Sequence, residues 1–146
     1  MKCRFFILVM VLFALPLTGK CQNSADELVS KCVLTAGDNT AYLKDFRVQL
    51  PKATPELASP VYKANMYLMK NMKYRFSLCN SAEFKGELYV TIFDEDKELI
   101  SSFNKSTGKR YSSVDFFCNK TGLYTLCFSF SNGDQGSGVS VVSMIK

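Results

Sequence analysis

Apolar and polar residues alternate with a period of two along much of this chain. The alternation is clearest in residues 111–130, where two alternating runs flank the polar stretch 119–122. A period of two is that of a β-strand with one buried face. Because the polar stretch ends in Gly122, which can take positive φ, the segment predicts two strands folded back on each other as a β-hairpin.

Similar runs recur along the chain with turn signals between them. They cover 42–50, 61–69, 74–79, 87–93, 98–103, the two halves of 111–130, and 139–145. We therefore predict an all-β domain over 42–146, a two-sheet antiparallel sandwich of Greek-key or jelly-roll type with about eight strands. Residues 22–41 are polar. Residues 24–28 could start a short helix and residues 36–40 mark a turn, and we predict an irregular lead-in that is tied down by Cys32.

The N-terminus has the pattern of an export signal. Lys2 and Arg4 precede an uncharged apolar run, residues 5–17, which is too short to span a bilayer as a helix. Small residues at Gly19 and Cys21 favour cleavage before Gln22, so residues 1–21 are predicted to be a signal peptide and the protein to be periplasmic or secreted. The alternative is a lipoprotein anchored through an acylated Cys21, against which Lys20 stands.

Charge gives no support for a nucleic-acid partner. Three of the 18 basic residues lie in the predicted signal peptide, which leaves 15 basic against 13 acidic residues and a net charge of +2. Nucleic-acid binding generally needs a clustered basic face. Lys105, Lys109 and Arg110 are interpreted as solvated turn residues instead, and no transmembrane segment is expected after signal removal.

Four cysteines remain after the predicted cleavage: Cys32, Cys79, Cys118 and Cys127. An even number in an exported protein indicates disulfides, at most two here. Cys79 and Cys118 each close a strand and are followed by a turn, whereas Cys127 lies mid-strand on a face that the segment around Cys32 can cross. We predict the pairs Cys79 with Cys118 and Cys32 with Cys127.

The available chemistry points away from catalysis. The chain has no histidine, so Ser-His-Asp and Cys-His arrangements are excluded. Asp94 and Asp96 lie in a predicted hairpin turn and are weak candidates for calcium, although an ordinary acidic turn explains them better. No metal or cofactor is predicted. Tyr89, Phe93 and Phe117 fall on the polar side of their strands and are weak candidates for an exposed binding surface.

The order of four segments, YLKDFRVQL, YRFSLCN, GELYVTIFDEDKELISS and DFFCNKTGLYTLCFSF, resembles small exported β-sandwich proteins of the Bacteroidota. It resembles more weakly the jelly rolls of the bacterial pre-peptidase C-terminal type. The resemblance covers residues 42–145 and implies architecture and compartment, not an activity.

Two functional hypotheses follow. The first is a non-catalytic binding or assembly module of the cell envelope that recognises protein or glycan through loops and exposed aromatic residues. The second is a small secreted hydrolase or enzyme inhibitor with an unrecognised site. The sequons at Asn104 and Asn119 also leave open a eukaryotic secreted protein.

Overall fold

The structure is a computed structural model that describes residues 23–146. One helix precedes eight strands, and a short 3-10 turn, Ser131–Gly133, precedes the last strand. The elements are α1 Asn23–Thr35, β1 Thr40–Leu50, β2 Tyr62–Leu68, β3 Lys73–Asn80, β4 Leu88–Asp94, β5 Lys97–Ser101, β6 Ser113–Phe117, β7 Gly122–Phe130 and β8 Gly136–Ile145. The predicted signal peptide, residues 1–21, and the alternative anchor Cys21 lie outside the described residues.

The strands form two antiparallel sheets of four strands each. Sheet A has the order β1-β8-β3-β6, and sheet B has the order β2-β7-β4-β5. Consecutive strands alternate between the sheets except for β4 and β5, which are neighbours joined by a hairpin turn. This strand order is that of an eight-stranded jelly roll. The predicted all-β sandwich is confirmed, and each predicted strand is present.

The predicted hairpin over residues 111–130 is wrong. β6 pairs with β3 in sheet A, whereas β7 lies between β2 and β4 in sheet B. Gly122 does not have positive φ. Residues 118–121 carry the chain from one sheet to the other, because the alternation that identifies a strand says which face is buried and not which strand lies beside it.

The core lies between the sheets and is rich in aromatic residues. Phe76, Leu126 and Phe128 are fully buried there. The rings of Phe46 and Phe128 come from opposite sheets and have centroids 5.4 Å apart. The inward-facing side chains of the alternating runs therefore fill the layer between the two sheets. Aromatic side chains are large enough to do so when packed sheets are ~10 Å apart.

Helix α1 covers the outer face of sheet A, so the prediction of an irregular lead-in is wrong. The helix packs one apolar stripe, Leu28, Val29, Cys32 and Val33, against Val139 and Val141 of β8. These positions recur at the spacing that places side chains on one side of a helix. Just beyond the helix, Gly37 takes a φ of 88°, the left-handed conformation that commonly ends helices.

A disulfide joins Cys32 of α1 to Cys79 of β3, with Cα atoms 5.7 Å apart. The predicted pairs, Cys79 with Cys118 and Cys32 with Cys127, are therefore wrong. α1 lies over β3, which places Cys32 against Cys79, whereas Cys118 is buried just after β6 and Cys127 belongs to the other sheet. Within residues 23–146 both of these are free thiols. The disulfide indicates an oxidising, exported environment.

Candidate functional site

The two sheets differ in what covers their outer faces. α1 lies on sheet A, but no helix or strand of residues 23–146 packs on the outer face of sheet B, where only the segment after β5 covers one end through Phe103. That face contains an open trough of about 430 Å³. We define the trough by its lining residues, which are Lys63, Asn65, Phe93, Glu95, Asp96, Thr125 and Cys127. It is the candidate functional site.

The register of three strands builds the trough. Thr125 and Cys127 of β7 form its floor, because both point outward from the central part of the sheet. On β2, Lys63 stands opposite Cys127 and Asn65 opposite Thr125. On β4, Phe93 stands opposite Thr125. Directly opposed residues on an antiparallel pair have neighbouring Cβ atoms, so the trough follows from the pairing alone.

Hydrogen-bonding groups of both kinds line the trough. The Thr125 hydroxyl donates to the Asn65 side-chain oxygen at 3.1 Å, which leaves the Asn65 amide N–H groups free to donate to a ligand. Lys63 lines the wall on the β2 side. Glu95 and Asp96, both exposed, form the opposite wall at the turn between β4 and β5. Glu95 takes a φ of 54°, which lets the two-residue turn close.

Cys127 is half-buried in the floor. Burial raises the pKa of its thiol, and the neighbouring Lys63 charge opposes that shift without reversing it. A thiol with a raised pKa stays protonated near neutral pH, and the thiolate is the reactive form. Cys127 is thus a poor nucleophile and serves here as a small floor residue.

The structure places the three predicted aromatic candidates differently. Phe93 lines the trough. Tyr89 lies on the same face beyond it, half-buried against Phe103 with ring centroids 5.3 Å apart. Phe117 is 52% exposed but lies on β6 of sheet A. The three residues therefore do not form one surface.

Asp94 and Asp96, the weak calcium candidates, are not brought together. Asp96 faces the trough, whereas Asp94 lies near Lys120, with 3.8 Å between the carboxylate and the ammonium group. The two residues line different cavities. Among residues 23–146, no three acidic, cysteine or histidine side chains form a group that could hold a metal ion.

The sequence prediction missed Lys63, Asn65 and Thr125 as site residues, and it named Cys127 only as a disulfide cysteine. All four occupy outward positions of their strands, which the period-two pattern can identify. Their meeting depends on the pairing of β2 with β7, about which the pattern carries no information.

A second cavity, of about 230 Å³, lies between the first turn of α1 and sheet A. The ion pair of Asp26 with Arg47, 2.6 Å between oxygen and nitrogen, links the helix to β1 beside it. This cavity lies at a gap in the packing between a helix and the sheet that it covers.

Fold and site together define the class of this protein: an eight-stranded jelly roll with one sheet covered by a disulfide-linked helix and the other sheet open. No protein-family model matches the chain, and a search of curated proteins finds no match. Residues 23–146 include no helix of the length and apolar character that crossing a membrane requires.

Proposed function

We propose that this protein is a non-catalytic binding module of the cell envelope, and that its trough holds a segment of glycan. The observation that supports this most is the combination of one aromatic ring, Phe93, with hydrogen-bond donors and acceptors around an open floor. A sugar ring has apolar C–H faces and hydroxyl groups at its edge. It can therefore lie against Phe93 while Asn65 and the carboxylates contact its hydroxyls.

The same residues argue against catalysis. Glu95 and Asp96 are adjacent in one turn and stand on one wall, so they do not flank a bound bond from two sides as glycosidase carboxylates do. The Cys127 thiol has a raised pKa, and the chain has no histidine to act as its base. Binding without turnover is the activity that these groups support.

The compartment is consistent with such a ligand. The Cys32–Cys79 disulfide suits an oxidising environment, and the charged start and apolar run of residues 1–21 suit export. We propose a periplasmic or secreted location, where cell-envelope and extracellular glycans are present.

Affinity electrophoresis of residues 22–146 with a panel of soluble polysaccharides tests the proposal. Short oligosaccharides derived from the polysaccharides that retard the protein are then titrated by calorimetry. Phe93→Ala should weaken binding about tenfold or more. Phe117→Ala is the matched control, since it removes an exposed ring from the other sheet, and it should leave binding unchanged.

Three results would overturn the proposal. They are the absence of binding to every glycan tested, an equal loss with Phe117→Ala, or hydrolysis of a bound oligosaccharide by the wild-type chain. If the trough binds an envelope protein and no glycan, the ligand is a protein and the glycan proposal is wrong.

A further inference from the structure

We infer that β2 is a dimerisation edge, and that its partner is the β2 strand of a second copy of this chain. β2 is the terminal strand of sheet B and pairs only with β7, so its other side has no partner strand among residues 23–146. An unpaired edge exposes backbone N–H and C=O groups that can accept another strand.

β2 is less protected against such pairing than the three other sheet edges. β5 and β6 have five residues each, and β1 has a bulge between Tyr42 and Lys44. Natural sheets use short strands, bulges and charges to prevent edge pairing. β2 has seven residues, no bulge in its register and one charge, Lys63.

Apolar side chains are exposed along the same edge. Tyr67 is 65% exposed and Met69 is 59% exposed, while Val61 and Tyr62 are 40% and 41% exposed. Exposed apolar groups beside an unpaired edge favour burial by a partner strand.

The sequence of β2 is complementary to itself when two copies run antiparallel. Full overlap of Tyr62–Leu68 with its copy places Asn65 opposite Asn65 and Tyr62 opposite Leu68. Lys63 then stands opposite Tyr67 of the second copy, so its ammonium group lies near an aromatic ring and not near another lysine. Ala64 stands opposite Met66, which makes the inward-facing pairs apolar. Charge and apolar pattern therefore select a second copy related by a two-fold axis.

This dimer would join two copies of sheet B into one eight-stranded sheet. The two troughs would open on the same side, because directly opposed residues of antiparallel strands share a face. Tyr67 of each copy would lie beside Lys63 at the wall of the other copy's trough. The inference rests on β2 itself and not on the ligand of the trough.

Sedimentation velocity of residues 22–146 over a concentration series tests the inference. The wild-type chain should show a monomer–dimer equilibrium. Tyr67→Lys, which places lysine opposite Lys63 twice in the dimer, should weaken it about tenfold or more. Adding Lys63→Glu to Tyr67→Lys should restore the dimer, because each new lysine then faces a carboxylate.

Leu99→Lys is the matched control, since it places a lysine on β5, the opposite edge of the same sheet, where Leu99 is 38% exposed. It should leave the dimer unchanged. Circular dichroism checks that the variants fold, and if Tyr67→Lys does not, Asn65→Lys makes the same prediction at the two-fold axis. The inference would be overturned if the wild-type chain is monomeric at every concentration. It would also be overturned if the single lysine variants on β2 dimerise as strongly as the wild type.

Discussion

The disulfide between α1 and β3 offers the most quantitative test of the fold. The linked residues, Cys32 and Cys79, are 47 positions apart. In the chain-entropy account, a bridge closing a loop of this length stabilises the folded protein by about 4 kcal/mol, chiefly by restricting the unfolded chain. Measured effects are commonly smaller, so we expect Cys32→Ala/Cys79→Ala to lower the free energy of unfolding by roughly 2–4 kcal/mol.

The variant should nevertheless retain its sandwich. α1 still packs through Leu28, Val29 and Val33, and the core between the sheets does not include the disulfide. Without the covalent link, α1 should open more readily than the strands. Hydrogen exchange should then show faster exchange at the amides of α1 than in the variant's core strands.

Urea unfolding of three samples measures the effect: oxidised wild type, reduced wild type and the double variant. The reduced wild type and the variant should unfold at similar urea concentrations, below the oxidised protein. Mass spectrometry of the denatured chain should show that oxidation removes two hydrogens, as one disulfide requires.

Cys127→Ala is the control, because this half-buried thiol forms no disulfide. It should change stability little. A loss below about 1 kcal/mol in the double variant would be too small for a bridge that closes this loop, and would show that the disulfide does not stabilise the fold in this way. An equal loss from Cys127→Ala would refute the assigned pairing.

Two further predictions concern single residues. Gly136→Ala should destabilise the protein by roughly 1–3 kcal/mol in urea unfolding, because the added Cβ would overlap the buried ring of Phe130. Gly122→Ala is its control and should have little effect, because no atom lies within 4 Å of the added Cβ. Asp115→Asn should cost about 1 kcal/mol near neutral pH, because Arg75 donates two hydrogen bonds to this partly exposed carboxylate. Those bonds lower the pKa of Asp115 from 3.8. The stabilisation that Asp115 gives to the folded state is therefore present above that pH and is lost as pH falls through the folded pKa. Urea unfolding measured from pH 7 down to acid should show the stabilities of the variant and the wild type converge.

The fold class was predictable because alternation reports burial directly. Phe76 and Leu78 of β3 and Val90 and Ile92 of β4 all face the core, as their period of two indicates. The spacing of turn signals then gave the number of strands, and eight short strands have few stable arrangements besides a sandwich or barrel.

Strand neighbours were not predictable in the same way. The runs on either side of Gly122 look like a hairpin, yet their true partners are β3 for the first and β2 and β4 for the second. The predicted disulfide pairing was wrong for a related reason. The true pairing depends on α1 lying over β3. The apolar stripe that places the helix there is short and stands among polar residues, so the sequence pattern predicts an irregular segment.

The site was only partly predictable. Phe93 was found because an aromatic residue at an outward position can be recognised from the alternation of one strand. Lys63 and Thr125 are ordinary outward residues that lie about 60 positions apart in the chain. They become parts of one trough only through the register of β2 with β7, which sequence pattern does not determine.

An NMR titration can show directly where a glycan binds. The isotopically labelled chain, residues 22–146, is titrated with the oligosaccharide that binds best in the calorimetric series. We expect the backbone chemical-shift changes to concentrate at the trough, at Lys63, Asn65, Phe93, Thr125 and Cys127, and the signal of Phe117 to stay unchanged. Shifts centred on sheet A or on α1, with the trough unaffected, would contradict the claim that the open face of sheet B is the binding surface.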